Sequence, residues 1–239
     1  MRPLTRAVLV LVCFLAAASG WYAVCAAAWP ASSQQARALS FVALLTVAVV
    51  AFSARTRGWR AVGVTPRNEW RQTSLLVLPA LLAVSPLVHG VRHLSSGTWA
   101  VLVAGYLLTG VVEELMWRGW VHRLLLPLGL RRAVLVGSAL FGLAHLANLL
   151  YRDSPGLVLA QCWGAFCFGV GYAALRARTG TLVPLVVLHF LTDLAAQVGQ
   201  VPAIPVLVAQ DVVLLGLGLL LVRRGATRVS PVLLPPLRA

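Results

Sequence analysis

The sequence contains no lysine and very little negative charge. All 20 basic residues are arginines, Asp and Glu together number six, and 11% of the 239 residues are charged, whereas 60% are hydrophobic. So few charges cannot cover the solvated surface of a soluble domain of this length, which excludes the soluble classes. The four cysteines form no CxxC pair, so we predict neither a disulfide framework nor a thiolate metal site. The composition is that of an integral membrane protein.

Long apolar segments recur along the whole chain. A bilayer core of about 30 Å needs about 20 apolar helical residues to cross it. We therefore predict an all-α fold, a polytopic transmembrane helix bundle that forms a single integral-membrane domain over residues 1–239. The eight predicted spans are about 7–28, 38–54, 73–90, 99–126, 133–151, 156–175, 181–199 and 204–222.

Every second connection between these spans is rich in arginine, and the connections in between hold one arginine or none. The arginine-rich positions are Arg2 and Arg6, the connections at 55–71, 123–132 and 176–178, and the segment from Arg223 onward. Because arginine-rich loops stay in the cytoplasm, this alternation predicts that both termini are cytoplasmic. The net charge of +14 therefore reports topology and contact with anionic headgroups, and we predict no nucleic-acid partner.

The two ends of the chain need separate interpretation. The residues MRPLTR followed by AVLVLVCFLAAASG resemble the charged and apolar regions of a signal peptide. The apolar run continues to Trp29, which is too long for such a region, so we expect a retained membrane anchor. Cleavage would leave the remaining topology unchanged. The segment VSPVLLPPLRA near the other end is interrupted by prolines and is predicted to be extended.

Ionisable side chains inside the apolar spans are the feature that calls for a functional explanation. Each one costs a few kcal/mol to place in a bilayer, so such residues indicate a functional site. Six of them concern us here: Glu113, Glu114 and Arg118 in the fourth span, His145 in the fifth, and His189 with Asp193 in the seventh. A seventh, Asp211 in the eighth span, has no partner in its own helix and receives no role from the sequence.

Depth in the membrane suggests that the six belong together. Glu113 and His145 each lie about 13 residues, or roughly 20 Å, from the predicted cytoplasmic ends of their spans. His189 lies about 10 residues, or roughly 15 Å, from the same side. Three helices are thus expected to bring polar groups to one level of the bilayer.

Helical spacing assigns different partners to the two adjacent glutamates. Glu114 and Arg118 are four residues apart, with the acid first, which favours an ion pair on one helix face. Glu113 is rotated by about 100° from Glu114, so it is free to face a cavity and act as a general base. His189 and Asp193 are also four apart, so the acid can orient the imidazole.

Taken one by one, these patterns have simpler readings that the sequence leaves open. An HxxxD pair in a buried helix is often only hydrogen-bonded, and a lone His145 is often a satisfied core histidine. The Glu-Glu-Arg cluster is also compatible with an assembly salt bridge or with part of an ion pathway. Their coincidence at one depth is what favours a reactive site.

Three ordered motifs carry a family resemblance. They are EELMWR at 113–118, FGLAHLAN at 141–148 and HFLTD at 189–193. Together they resemble the pattern EExxxR, FxxxH with a following asparagine, and HxxxD/N of the CPBP intramembrane proteases, named for CAAX proteases and bacteriocin-processing enzymes and also called the Abi family. The resemblance covers about residues 99–199, which would form the catalytic core, with peripheral spans at about 7–90 and 204–222.

The resemblance implies an endopeptidase that hydrolyses a peptide bond within or beside the membrane. Glu113 with His145 would activate water, and His189 with Asp193 would bind the developing oxyanion or orient its stabiliser. Glu114, Arg118 and Asn148 would support the site. The implied substrate is a membrane-associated peptide or protein, and the implied location is the cell membrane, in bacteria the inner membrane, with the site opening to the cytoplasm or laterally to lipid.

No cofactor is expected, although a glutamate and two histidines are also the ligands of a catalytic zinc ion, so zinc remains the alternative. The sequence has no HExxH, no GxSG and no GxGD motif, which are signatures of other hydrolase types. Two other functions stay open. One is a non-proteolytic scaffold or immunity protein of the same fold, and the other is a proton-coupled transporter, which the lack of internal inverted repeats disfavours.

Overall fold

The computed structural model of the protein describes residues 1–224, apart from the side chains of Ala203 and Arg224. The predicted extended segment VSPVLLPPLRA, with Arg228 and Arg238, lies outside the described residues. Every regular element within the described residues is a helix. The α-helices are α1 Pro3–Ala28, α2 Gln34–Arg55, α3 Trp59–Val62, α4 Val77–Val84, α5 Ser96–Glu113, α6 His122–Leu125, α7 Leu130–Ala144, α8 Pro155–Thr179, α9 Val183–Val198 and α10 Ala203–Arg224.

Six helical segments of the described chain are long and apolar enough to cross a membrane. They are Pro3–Ala28, Gln34–Arg55, Ser96–Leu128, Leu130–Leu150, Pro155–Thr179 and Ile204–Arg223. Two shorter apolar helices, Thr73–Leu87 and Val183–Val198, occupy the positions of the third and seventh predicted spans. The protein is therefore an all-α, multi-pass membrane bundle, as predicted.

The two short segments differ from the full-length spans that the hydropathy suggested. Helix α9 has 16 residues, which reach about 24 Å and thus fall short of a bilayer core of about 30 Å. The third segment is broken near Pro86, which has no N–H to donate to the carbonyl of Leu82. That carbonyl oxygen accepts instead from Oγ of Ser85 at 2.8 Å and from Nε2 of Gln210, in α10, at 2.6 Å.

The two ends of the bundle carry different connections. At one end, which we call the Arg-rich end, the connection 56–72 packs on the others: the N–H of Leu182 bonds to the Gly63 carbonyl at 2.8 Å, and that of Arg71 to the Thr179 carbonyl at 2.9 Å. At the opposite, Arg-poor end, the N–H of Arg92 bonds to the Val198 carbonyl at 2.8 Å. Chain direction therefore alternates as the arginine pattern requires.

Glycines allow several helices to approach each other at backbone distance, as is common where membrane helices pack. A Cβ at Gly218 of α10 would lie 2.6 Å from the carbonyl oxygen of Val170 in α8. A Cβ at Gly142 of α7 would lie 2.6 Å from the carbonyl oxygen of Cys162, also in α8. Helix α8 is thereby fixed between α7 and α10.

We predict that Gly218→Ala lowers the free energy of unfolding by about 1–3 kcal/mol, because the added methyl meets backbone atoms that cannot move aside. Gly216→Ala is the matched control in the same helix, since no atom lies within 4 Å of a Cβ there. It should leave stability unchanged or raise it by about 0.5–1 kcal/mol through helix propensity. Denaturant unfolding in detergent micelles measures both, and equal effects at the two positions would contradict the packing described.

Candidate active site

The helix that carries the first motif changes its winding at the motif. Helix α5 ends at Glu113, and Glu114–Val121 form a π-helix, in which the N–H of His122 reaches the carbonyl of Trp117. The sequence predicted an uninterrupted α-helix here. Such wide turns are rare and are found frequently at functional sites. Gly119 lets the wide turn pack on the connection, since a Cβ at Gly119 would lie 3.0 Å from that of Val62.

The predicted ion pair between Glu114 and Arg118 is present. Nη1 of Arg118 lies 3.1 Å from Oε1 of Glu114, and 2% and 0% of the two side chains is exposed. The guanidinium also lies over aromatic rings, at 4.0 Å from the ring centre of Phe141 and 5.4 Å from that of Phe168. Aromatic faces attract a cation more strongly where water is excluded. Arg118 is thus held by one carboxylate and by the faces of two aromatic rings.

His189 lies between three carboxylates. Its Nδ1 is 2.8 Å from Oε1 of Glu114, and because an ionised carboxylate only accepts, Nδ1 carries the proton of this hydrogen bond. Its Nε2 is 3.6 Å from Oε2 of Glu113 and 3.6 Å from Oδ2 of Asp193. The sequence assigned the orientation of this imidazole to Asp193. The short bond comes from Glu114 instead, from a different helix.

A close approach of α5 and α9 brings these residues together. A Cβ at Gly110 would lie 3.1 Å from the carbonyl oxygen of Val186 and 3.3 Å from the backbone nitrogen of Phe190. The missing side chain at Gly110 thus lets the two backbones meet, and His189 reaches both glutamates one turn farther along. The predicted common depth of the fourth and seventh spans is confirmed.

His145 is positioned by the second motif. It ends α7 and begins a 3₁₀-helix, His145–Leu150. Its Nδ1 donates to the carbonyl oxygen of Phe141 at 2.9 Å, so Nε2 is the nitrogen that this bond leaves available. The ring of Phe141 stands edge-on to His145, at 4.8 Å between centroids, while it also faces Arg118. Phe141 therefore connects the first two motifs.

The structure does not join His145 directly to Glu113. Within residues 1–224 no hydrogen bond or ion pair connects the two side chains. Asn148, the other polar residue of the second motif, donates from Nδ2 to Oε1 of Gln161 at 2.8 Å. This bond ties the 3₁₀-helix to α8.

Sequence reasoning missed every contribution of α8 to the site. Phe168 and Tyr172 stack on each other at 3.8 Å, and their centroids lie 4.8 Å and 6.2 Å from that of His189. Neither they nor Gln161 carry charge, so a search for intramembrane charge could not find them. The one available signal was the spacing of two aromatic residues four apart on a helix face.

Exposure separates the two glutamates, and Asp211 lies elsewhere. Of the Glu113 and Asp193 side chains, 24% and 31% is exposed, whereas Glu114 is fully buried. Asp211 packs against α8, where a Cβ at Gly164 would lie 2.7 Å from its Oδ2. It forms no hydrogen bond or ion pair with any described residue, and the site does not include it.

The arrangement of possible ligands bears on the zinc alternative. Among residues 1–224 no group of three or more His, Cys, Asp and Glu side chains is arranged to hold a metal ion. Both nitrogens of His189 already face carboxylates. Metal independence of the reaction remains a prediction, to be tested by chelation.

We predict that the adjacent glutamates contribute very differently to stability. Glu114→Gln should lower the free energy of unfolding by about 3–5 kcal/mol, because it leaves Arg118 buried without a countercharge. Glu113→Gln should change it by less than about 1 kcal/mol, since Glu113 is partly exposed and its nearest ionic contact is 3.6 Å away. Thermal unfolding of the purified variants in detergent gives both values, and similar losses would show that this division is wrong.

A comparison with protein families agrees with this geometry. Residues 95–195 match the family model described as Rce1-like, Type II CAAX prenyl endopeptidase Rce1-like. No curated protein and no solved structure matches the chain. The matched region contains all three motifs and every side chain placed in the site above. This match over residues 95–195 supports the CAAX protease (CPBP) family that the motifs predicted.

Proposed function

We propose that the protein is an intramembrane endopeptidase that hydrolyses a peptide bond of a membrane-associated protein or peptide. The observation that carries the proposal is the placement of His189. Its ring is fixed on one side by a buried carboxylate, and on the other side it faces two partly exposed carboxylates, Glu113 and Asp193. Partly exposed carboxylates within the membrane part of a bundle would not stabilise a purely structural site, so they favour a reactive one.

Glu113 is the proposed general base. Its Oε2 lies 3.6 Å from Nε2 of His189, longer than a direct hydrogen bond, so both groups are free to contact one reacting molecule between them. Glu113 would take a proton from water as the water oxygen attacks the peptide carbonyl carbon. His145, with Nδ1 held by the Phe141 carbonyl, would present Nε2 to the same water.

His189 is the proposed stabiliser of the oxyanion that forms on the carbonyl oxygen. With Nδ1–H bonded to Glu114, a proton on Nε2 gives a fixed donor directed at the reacting side. Asp193, 3.6 Å from Nε2, would favour that protonated ring. When the tetrahedral intermediate breaks down, the leaving amine takes the proton that Glu113 accepted, and the carboxyl product retains the oxygen of water.

Glu114, Arg118 and Asn148 are proposed as positioning residues. Glu114 holds His189, Arg118 balances Glu114, and Asn148 fixes the segment after His145 to α8. The reaction is proposed to need no metal, and the protein is proposed to act in a bacterial inner membrane. The multi-pass helices and the arginine distribution support a membrane location with cytoplasmic arginine-rich connections.

The proposal predicts that Glu113→Gln lowers the cleavage rate by about 10²–10⁴-fold, because the change removes the base and keeps its shape. His145→Ala and His189→Ala should cause losses of similar size. The assay is cleavage of a membrane-peptide library by purified protein in nanodiscs, read by mass spectrometry. A chelator should leave wild-type cleavage unchanged.

Glu69→Gln is the matched control, since 26% of the Glu69 side chain is exposed, close to the value for Glu113, and Glu69 pairs with Arg60 in the connection 56–72. It should retain full activity. Cleavage that survives in Glu113→Gln would refute the proposed base, and cleavage lost to chelation and restored by zinc would refute the metal-free reaction. If the wild type cleaves nothing across a broad library, the scaffold or immunity function takes its place.

A further inference from the structure

Packing density changes at the level of the site. From Glu114 to Val121, toward the Arg-rich end, every residue but Trp120 is buried. On the other side of Glu113, the residues of α5 that are buried are Leu102, Gly110 and Val112. Helix α8 shows the same change, since Val158 is the sole buried residue before Cys167, and nearly all residues from Cys167 to Thr179 are buried. The site lies where a densely packed half of the bundle, which we call the closed half, meets a half whose side chains are largely exposed.

The Arg-rich end is closed by more than the core. The connection 56–72 covers it, and Gly63 packs directly on the guanidinium of Arg176, which is 1% exposed. Trp120 donates from Nε1 to Oγ of Ser53 at 3.0 Å, which ties the π-helix to the end of α2. Arg118 and His122, each 2% exposed, lie between Glu113 and this cover. A cavity of about 10 Å³ lies in this half, lined by Arg118, His122 and Ser138 among others, and it is about the size of one water molecule, too small to admit a polypeptide.

The Arg-poor side of the site presents polar groups. Thr109 and Tyr106 precede Glu113 by one and two turns on the same face of α5. Tyr106 lies close enough to both Asp193 and Arg152 to interact with them electrostatically. Arg152 is exposed, in the connection between α7 and α8. Arg152, Tyr106 and Thr109 therefore form a polar stripe that leads from the Arg-poor connection toward Glu113, whereas the opposite direction is densely packed.

We propose that substrate reaches Glu113 and His189 from the Arg-poor end of the bundle. Arginine-rich connections stay in the cytoplasm, so this end faces the extracytoplasmic side of the membrane. The inference rests on the proposed function, and it differs from the opening to the cytoplasm or laterally to lipid that the sequence led us to expect. It also names a class of substrate: a membrane-anchored or exported polypeptide whose cleaved bond lies in the outer half of the bilayer or just outside it. A cytoplasmic C-terminal tail could not reach the acids without opening the closed half.

Cysteine accessibility tests this inference without any substrate. The four native cysteines are free and are first changed to alanine. Single cysteines are then placed at Thr109 beside the site, at Gly97 on the exposed start of α5, and at Asn68 on the exposed connection 56–72. Ser138→Cys is the buried control. Ser138 has a small hydroxyl side chain, as Thr109 has, but it is 2% exposed and lies in the closed half. Each variant is treated with a charged, membrane-impermeant thiol reagent in intact spheroplasts, after lysis, and after denaturation.

We expect Gly97→Cys and Thr109→Cys to react in intact spheroplasts, Asn68→Cys to react only after lysis, and Ser138→Cys to react only after denaturation. Tyr106→Cys, on the same helix face, serves as a second probe if Thr109→Cys does not fold. Thr109→Cys that reacts only after lysis, together with Asn68→Cys, would overturn the proposal by placing access on the cytoplasmic side. A lack of reaction at both probes before denaturation would overturn it by showing that the stripe is closed to water.

These outcomes are independent of catalysis. A protein that cleaves nothing can still show the predicted labelling, which would refute the proposed function and leave the direction of access standing. A protein that cleaves, but whose probe cysteines are labelled only from the cytoplasmic side, would support the proposed function and refute the direction of access.

Discussion

The buried ion pair between Glu114 and Arg118 is the constraint on which the site depends. Neither charge is stable alone in the interior of a membrane bundle, so each requires the other. One oxygen of Glu114 serves both Arg118 and His189, at 3.1 Å and 2.8 Å. Arg118 in turn is covered by Phe141 and Phe168, which also contact the two histidines of the site. One pair of opposite charges thus contacts His189 directly and His145 through the ring of Phe141.

This arrangement explains why two glutamates stand side by side. The π-helix begins at Glu114, so Glu114 is turned into the closed half, and Glu113, the last residue of α5, remains at its boundary. The first is fully buried and holds the frame, while the second keeps a partly exposed carboxylate. The framework role proposed for Glu114 and the reactive role proposed for Glu113 need opposite environments, and the two adjacent helical positions supply both.

Patterns local in sequence could be predicted, and contacts between distant segments could not. The apolar spans follow from hydropathy, and the Glu114–Arg118 pair follows from spacing along one helix. The bond from Glu114 to His189 spans 75 residues, and it depends on the close approach at Gly110, which no spacing rule reveals. The π-helix leaves no signature in residue type. The aromatic residues of α8 escaped notice because an apolar span is expected to contain them.

The same asymmetry connects the site with its surroundings. Core packing and the connection 56–72 close the half that contains Arg118 and His122, so strong electrostatic interactions persist there without competition from water. The half beyond Glu113 is less densely packed, and the proposed route of water and substrate runs through it. The proposed hydrolysis in a membrane needs both conditions at one level of the bundle: supporting charges shielded from water, and a path by which water and substrate reach the reacting groups.

The central claim is that His189 is held through Nδ1 by Glu114 and offers Nε2 to Glu113. Nitrogen-15 NMR of histidine-labelled protein tests it directly, because the chain has five histidines and His189→Asn identifies the signals of interest. The account predicts a protonated, hydrogen-bonded Nδ1 whose signal is unchanged in Glu113→Gln, and an Nε2 signal that moves in the same variant. An unprotonated Nδ1, or a Glu113→Gln effect confined to Nδ1, would contradict the account.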